Sequence, residues 1–109
     1  MGHALETAIL HELQRRGAQV NYVRTPAGSE VDFYARSLAG NETLIQVCAD
    51  LDSPETLARK VRALQDAAPT WPNAALQLIT LNPPKGDPLP PGIQLHLAPD
   101  WLLMGDTSS

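Results

Sequence analysis

The chain has 109 residues, enough for one small domain with a single hydrophobic core. Its formal net charge of -4 argues against a strongly basic nucleic-acid surface, although a local basic patch can still bind phosphate on an acidic protein. The single cysteine excludes an internal disulfide, and no run approaches the roughly 20 apolar residues of a membrane helix, so we expect a cytoplasmic protein without a membrane partner.

The first predicted element is a helix over residues 4–16, because strong helix formers dominate and Gly17 suits a left-handed cap. Its apolar stripe consists of Leu5, Ile9, Leu10 and Leu13. Glu6 borders this stripe, so its carboxylate lies either on the buried face or at its edge, in reach of water.

Three strands follow and form an antiparallel meander, the first over residues 19–25. In the second strand, alternation places Val31, Phe33 and Ala35 on one face and Asp32 on the other. The glycine and asparagine of residues 39–42 favour a hairpin loop before the third strand, which contains residues 44–48. Folding the hairpin back brings Asp32 near Gln46 and Cys48 on a common face.

A second helix begins after Ser53, which is a good N-cap, with Pro54 at the first helical position. The nearly continuous apolar run of residues 74–81 predicts a central parallel strand, and the helix between it and the third strand makes a βαβ unit.

The proline-rich residues 82–92 predict a surface loop, and the alternating residues 93–97 predict an edge strand with His96 facing outward. A short helical turn then docks Trp101 on the core. We therefore expect one α/β domain over residues 1–104, a mixed sheet flanked by two main helices, and a flexible tail over residues 105–109.

Four sequence segments occur in an order that is typical of one protein family. In chain order they are GHALETAILHELQRRG, GSEVDFYAR, LIQVCADL and LIT. Together they resemble the C-terminal domain, of no established function, of a large family of prokaryotic AAA-type ATPases. That domain is thought to carry the restriction-endonuclease-like fold of the PD-(D/E)XK nucleases. The resemblance covers almost the whole chain and implies an upstream ATPase domain outside it.

The resemblance assigns nuclease positions to individual residues. Asp32 falls at the first acidic position of the PD-(D/E)XK motif, Gln46 at the second and Cys48 at the lysine, while Glu6 resembles an extra helix carboxylate. The metal ligands implied are Asp32, Gln46 and Glu6, and the implied ion is Mg²⁺. Because Gln46 is neutral, the affinity for the metal ion should be lower than in an active nuclease. Because Cys48 carries no positive charge, it cannot stabilise the transition state as the lysine of the motif does. A lysine displaced to the neighbouring helix, Lys60, is the one substitute cation.

Arg59, Lys60 and Arg62 form the one basic cluster, which is either a solvated helix face or a nucleic-acid contact. Three hypotheses follow. The first is a degenerate, non-cutting nuclease-like domain used for nucleic-acid binding or assembly. The second is a working Mg²⁺-dependent nuclease, and the third is a structural homodimerisation domain.

Overall fold

The computed structural model describes residues 2–48, 54–82 and 89–104, apart from the side chains of three residues within helices, Gly2, His3 and Met104. The predicted Ser53 cap, most of the proline-rich loop and the predicted tail of residues 105–109 lie outside the described residues. In chain order the elements are α1 (Gly2–Arg15), β1 (Gln19–Arg24), β2 (Glu30–Arg36), β3 (Glu42–Cys48), α2 (Pro54–Ala67), β4 (Ala75–Thr80), β5 (Ile93–Leu97) and α3 (Ala98–Met104).

The five strands form one sheet in the order β1-β2-β3-β4-β5. The pairs β1–β2 and β2–β3 are antiparallel, whereas β3–β4 and β4–β5 are parallel. The predicted α/β class and the mixed sheet are therefore confirmed. Helix α2 makes the crossover between the parallel strands β3 and β4, which cannot be joined by a tight turn.

The sheet has two covered faces, here called the α1 face and the α2 face. On β3, Ile45 and Val47 pack with α1, while Leu44 and Cys48 pack with α2, as the alternation of a strand requires. The buried residues of the α1 face are Leu5, Ile9, Leu13, Phe33, Ala35, Ile45, Val47, Ile79, Ala98 and Trp101. The core is thus two layers of mainly aliphatic side chains, one on each side of the sheet, with Phe33 and Trp101 in the layer of the α1 face.

Helix α3 is fixed to the end of α1 through Arg16. The Arg16 guanidinium lies 4.1 Å above the Trp101 ring, donates to the Trp101 carbonyl at 2.9 Å and donates to Glu12 Oε2 at 2.8 Å. Hydrogen bonds from Arg15 and Arg16 lower the pKa of Glu12 to about 2. Trp101 is buried, as the sequence predicts, and no helix in the described ranges combines the length and apolar character that crossing a membrane requires.

His96 differs from its prediction. It pairs in register with Ile79 of β4, on the α1 face, and its side chain is half-buried rather than turned outward. Its Nε2 is buried without a hydrogen-bond partner in the described structure, and burial lowers the pKa of the imidazole. The short α3 that follows β5 covers this face, which the alternation of five residues could not indicate.

This burial predicts a loss of stability in acid. Because the pKa of His96 is lower in the folded chain than in the unfolded chain, the unfolded chain takes up the proton first, and stability falls as the pH drops below about 6.5. Thermal unfolding between about pH 7.5 and pH 5 should show a smaller decline in Tm for His96→Gln than for the parent chain. The matched change at the exposed His11, His11→Gln, should keep the parental slope; equal slopes for the two variants would contradict the assignment.

Candidate functional site

A bulge in β2 determines where the Asp32 side chain points. Asn21 of β1 pairs with Tyr34, but Val23 pairs with Val31, so β2 carries one residue more than β1 across this step. As a result Phe33 packs on the α1 face and Val31 on the α2 face, although they are two residues apart. The prediction that both share one face is therefore wrong, because simple alternation fails across a bulge.

The ladder between β2 and β3 runs from Arg36↔Glu42 to Phe33↔Ile45. Beyond this pair, side chains supply the bonds between the two strands. The Asp32 backbone N–H donates to Gln46 Oε1 at 2.8 Å, and the Val47 backbone N–H donates to Asp32 Oδ2 at 2.8 Å. Each side chain thus takes the place of a backbone acceptor that an unbroken ladder would have provided.

Gln46 is the centre of this arrangement and is only 1% exposed. While its Oε1 accepts from Asp32, its Nε2 donates to the carbonyls of Glu30 and Lys60, each at 3.0 Å. One buried amide therefore joins β2, β3 and α2. A glutamate here would direct a carboxylate at two carbonyl oxygens and would have no N–H group to donate to either of them. The structure thus gives a physical reason for an amide at the position that the resemblance assigns to an acid.

Lys60 reaches the same place from α2. Its Nζ lies 2.9 Å from Asp32 Oδ2, and the two side chains are 17% and 18% exposed. Lys60 therefore does not share a surface with the other two residues of the predicted basic cluster. Arg59 and Arg62 are exposed, and at 100° per residue Arg62 points about 200° away from Lys60.

Two further predicted site residues, Cys48 and Glu6, lie on opposite sides of the sheet. Cys48 follows Gln46 on the α2 face, where it is 2% exposed and packs with Val61 and Leu78. Glu6 belongs to α1, on the opposite side of the sheet, and is half-exposed. Among the described residues, Glu6 makes no hydrogen bond or ion pair with Asp32 or Gln46.

The predicted metal ligands, Asp32, Gln46 and Glu6, do not form a site suited to Mg²⁺. This ion requires several charged oxygen ligands in octahedral geometry. Asp32 offers one carboxylate, and its Oδ2 already accepts from Lys60 and from Val47. The oxygen of Gln46 is neutral and accepts from a backbone N–H. No cluster of three or more His, Cys, Asp or Glu side chains suited to a metal ion occurs in the part of the chain that the structure describes.

Sequence reasoning missed two contacts that fix this site. It did not find the bond from Ser29 Oγ to Asp66 Oδ2, at 2.8 Å, which holds the turn between β1 and β2 against α2. It also did not find that the Lys60 carbonyl accepts from Gln46. One signal was present for the lysine itself, because Lys60 lies three residues after Leu57 and four before Leu64, on the inward side of α2.

Comparisons of this chain with protein-family models, with curated proteins and with solved structures find no match. A functional assignment therefore depends on the geometry of these side chains and on the resemblance seen in the sequence.

The network predicts that Gln46 is essential to stability. Gln46→Ala removes the three hydrogen bonds of a buried side chain and leaves the Asp32 N–H without this acceptor, so we expect a loss of about 3 kcal/mol in the free energy of unfolding. Urea denaturation measures this directly. The control Gln65→Ala removes an exposed amide on α2, and should cost less than about 0.5 kcal/mol. Similar costs for the two variants would show that the buried amide is not needed.

Proposed function

We propose that this chain is a nuclease-like accessory domain of an ATPase-family protein, in which the former cutting site holds the fold together and the domain serves nucleic-acid binding or assembly. The observation that carries the proposal is the ion pair between Lys60 and Asp32. The ammonium neutralises the one carboxylate that the resemblance places at the centre of a nuclease site.

The order of elements supports a restriction-endonuclease-like core. Helix α1 precedes a three-stranded meander, and α2 then leads to the parallel strand β4. Asp32 and Gln46 lie on adjoining strands, near the carboxyl end of β3, which is where ligand sites of α/β sheets occur. This arrangement agrees with the resemblance and supplies the place where a nuclease would bind phosphate.

Cutting a phosphodiester is disfavoured by the way these groups are used. Every step of phosphoryl transfer needs positive charge directed at the phosphate oxygens. Here the Lys60 ammonium is held by Asp32, and the amide of Gln46 is held by the backbone. The cation is therefore directed at the protein and not at a substrate.

Binding without cutting is supported by the outer side of α2. Arg59 and Arg62 are one turn apart, exposed and free of ion pairs in the described structure, so they can contact successive phosphates. The overall charge of -4 limits this surface to weak binding that depends on salt.

One observation favours the second candidate, a working nuclease. A lysine ammonium 2.9 Å from Asp32 is close to where the motif needs its cation, although it comes from α2 and not from β3. For this alternative Lys60 would have to leave Asp32 and turn toward the substrate. The lack of further charged oxygen ligands beside Asp32 also makes the working nuclease the weaker candidate.

Binding and cleavage are tested together with labelled single-stranded and duplex oligonucleotides. We expect binding with a Kd of about 10–100 µM at moderate salt, and no strand scission in Mg²⁺ or Mn²⁺. Arg59→Gln with Arg62→Gln should lower the slope of log K against log salt by about 1–2. The matched control, Arg15→Gln with Arg36→Gln, removes two exposed charges elsewhere and should leave the slope unchanged.

One outcome would contradict the proposal, and a second would restrict it to assembly. Scission by the parent chain that disappears in Asp32→Asn would favour the working nuclease. Binding that is absent at low salt, or that is equally affected by the control pair, would remove the nucleic-acid role and leave assembly.

A further inference from the structure

The two edges of the sheet differ in how well they resist pairing with another strand. At the β1 edge the pairing with β2 is irregular between Asn21 and Val23, and the strand ends in the charged Arg24, which pairs with Glu30. Bulges and charges of this kind protect natural sheet edges. The β5 edge has neither: residues Ile93–Leu97 contain no charge, no proline and no bulge. Within the described part of the chain, β5 has a paired strand on one side only.

The α2 face of β5 is also incompletely covered. Parallel strands are usually covered on both faces, but on β5 this cover is partial: α2 contacts mainly β2 and β3, and of β5 only Ile93 is seen to pack against the clusters that contain α2 residues. Leu95 pairs in register with the buried Leu78, yet it remains 39% exposed. An apolar side chain is thus exposed at an edge that carries no charge, proline or bulge, on a part of the α2 face that is only partly covered.

We propose that β5 pairs with the β5 strand of a second copy of this chain, antiparallel and about a two-fold axis through Leu95. The sequence of the strand is self-complementary in this register. Ile93 lies opposite the second copy's Leu97, and Gln94 lies opposite its His96, so apolar residues meet apolar residues and polar residues meet polar residues. The two copies of Leu95 face one another on the α2 face.

The symmetry of this pairing favours a closed dimer over an open-ended chain of molecules. A strand paired with itself about a two-fold axis uses the same surface on both molecules and closes as a dimer. Pairing β5 with β1 of a neighbour would repeat without end, and the irregularity and the charge of β1 oppose it. The inference does not depend on the proposed nuclease-like origin, because Leu95 lies outside the network of Asp32, Gln46 and Lys60.

Sedimentation equilibrium of the 109-residue chain tests the dimer. The expected result is a reversible monomer–dimer equilibrium, and Leu95→Lys should raise its dissociation constant about 10-fold or more, because it places like charges directly opposite each other. The matched control Leu38→Lys changes a leucine that is 86% exposed, in the loop between β2 and β3, and should leave the equilibrium unchanged. A parent chain that stays monomeric to about 1 mM overturns the proposal. A dimer that is insensitive to Leu95→Lys overturns it equally, since another surface must then be used.

Disulfide cross-linking tests the same pairing even if the lysine variant fails to fold. The two Leu95 side chains would have Cβ atoms about 5 Å apart across the strand pair, so Leu95→Cys should form a disulfide-linked dimer under mild oxidation. The native Cys48 is buried and does not compete. Leu38→Cys, the exposed control, should cross-link far more slowly, and equal rates for the two variants would contradict the register. A chain that is monomeric but captures an added unrelated β-strand peptide would assign this edge to a peptide ligand instead.

Discussion

The separation of β2 from β3 at Asp32 is the constraint on which the rest of the site depends. The bulge in β2 ends the backbone ladder at Phe33 and Ile45, inside the sheet, where unpaired backbone groups are costly. The side chains of Asp32 and Gln46 satisfy those groups, and each does so with an oxygen that faces a backbone N–H. The carboxylate then needs a cation nearby, because burying an unpaired charge is far more costly than burying a paired one.

Lys60 meets that need and links the sheet to α2. A lysine has a long apolar stem, so Lys60 can extend from α2 to β2 and place its ammonium beside the Asp32 carboxylate. The pair is partly reached by solvent, which lowers both its cost of desolvation and its net contribution. The same carboxylate cannot serve this internal role and also bind a divalent cation at full strength. The fold of the domain and any cutting activity therefore compete for one side chain.

Much of the fold was predictable because its signals are local. The apolar run of residues 74–81 and the helix before it predict the βαβ unit, which the structure contains, and the alternation of residues 44–48 places Gln46 and Cys48 together on one face. The bulge was not predictable from the sequence. No glycine or proline marks it in β2, and polar and apolar residues alternate in the sequence without interruption through Val31 and Phe33. His96 was misplaced for a similar reason, since its burial depends on α3 and not on its own strand.

The site was predictable only as a set of candidates. Helical periodicity places Lys60 on the inward side of α2, but its contact with Asp32 requires the position of α2 over β2 and β3, which periodicity does not supply. The resemblance directed attention to Gln46 but gave no reason for an amide there. That reason comes from two carbonyl oxygens, those of Glu30 and Lys60, which are brought together only in the folded chain.

The most direct test of the central claim, that Lys60 occupies the place of a cation at Asp32, is a crystal structure grown in excess Mn²⁺ with data collected at the manganese edge. We expect no anomalous density beside Asp32 and a Lys60 ammonium still within hydrogen-bond distance of its carboxylate. Anomalous density about 2.1 Å from Asp32, with Lys60 displaced, would contradict it.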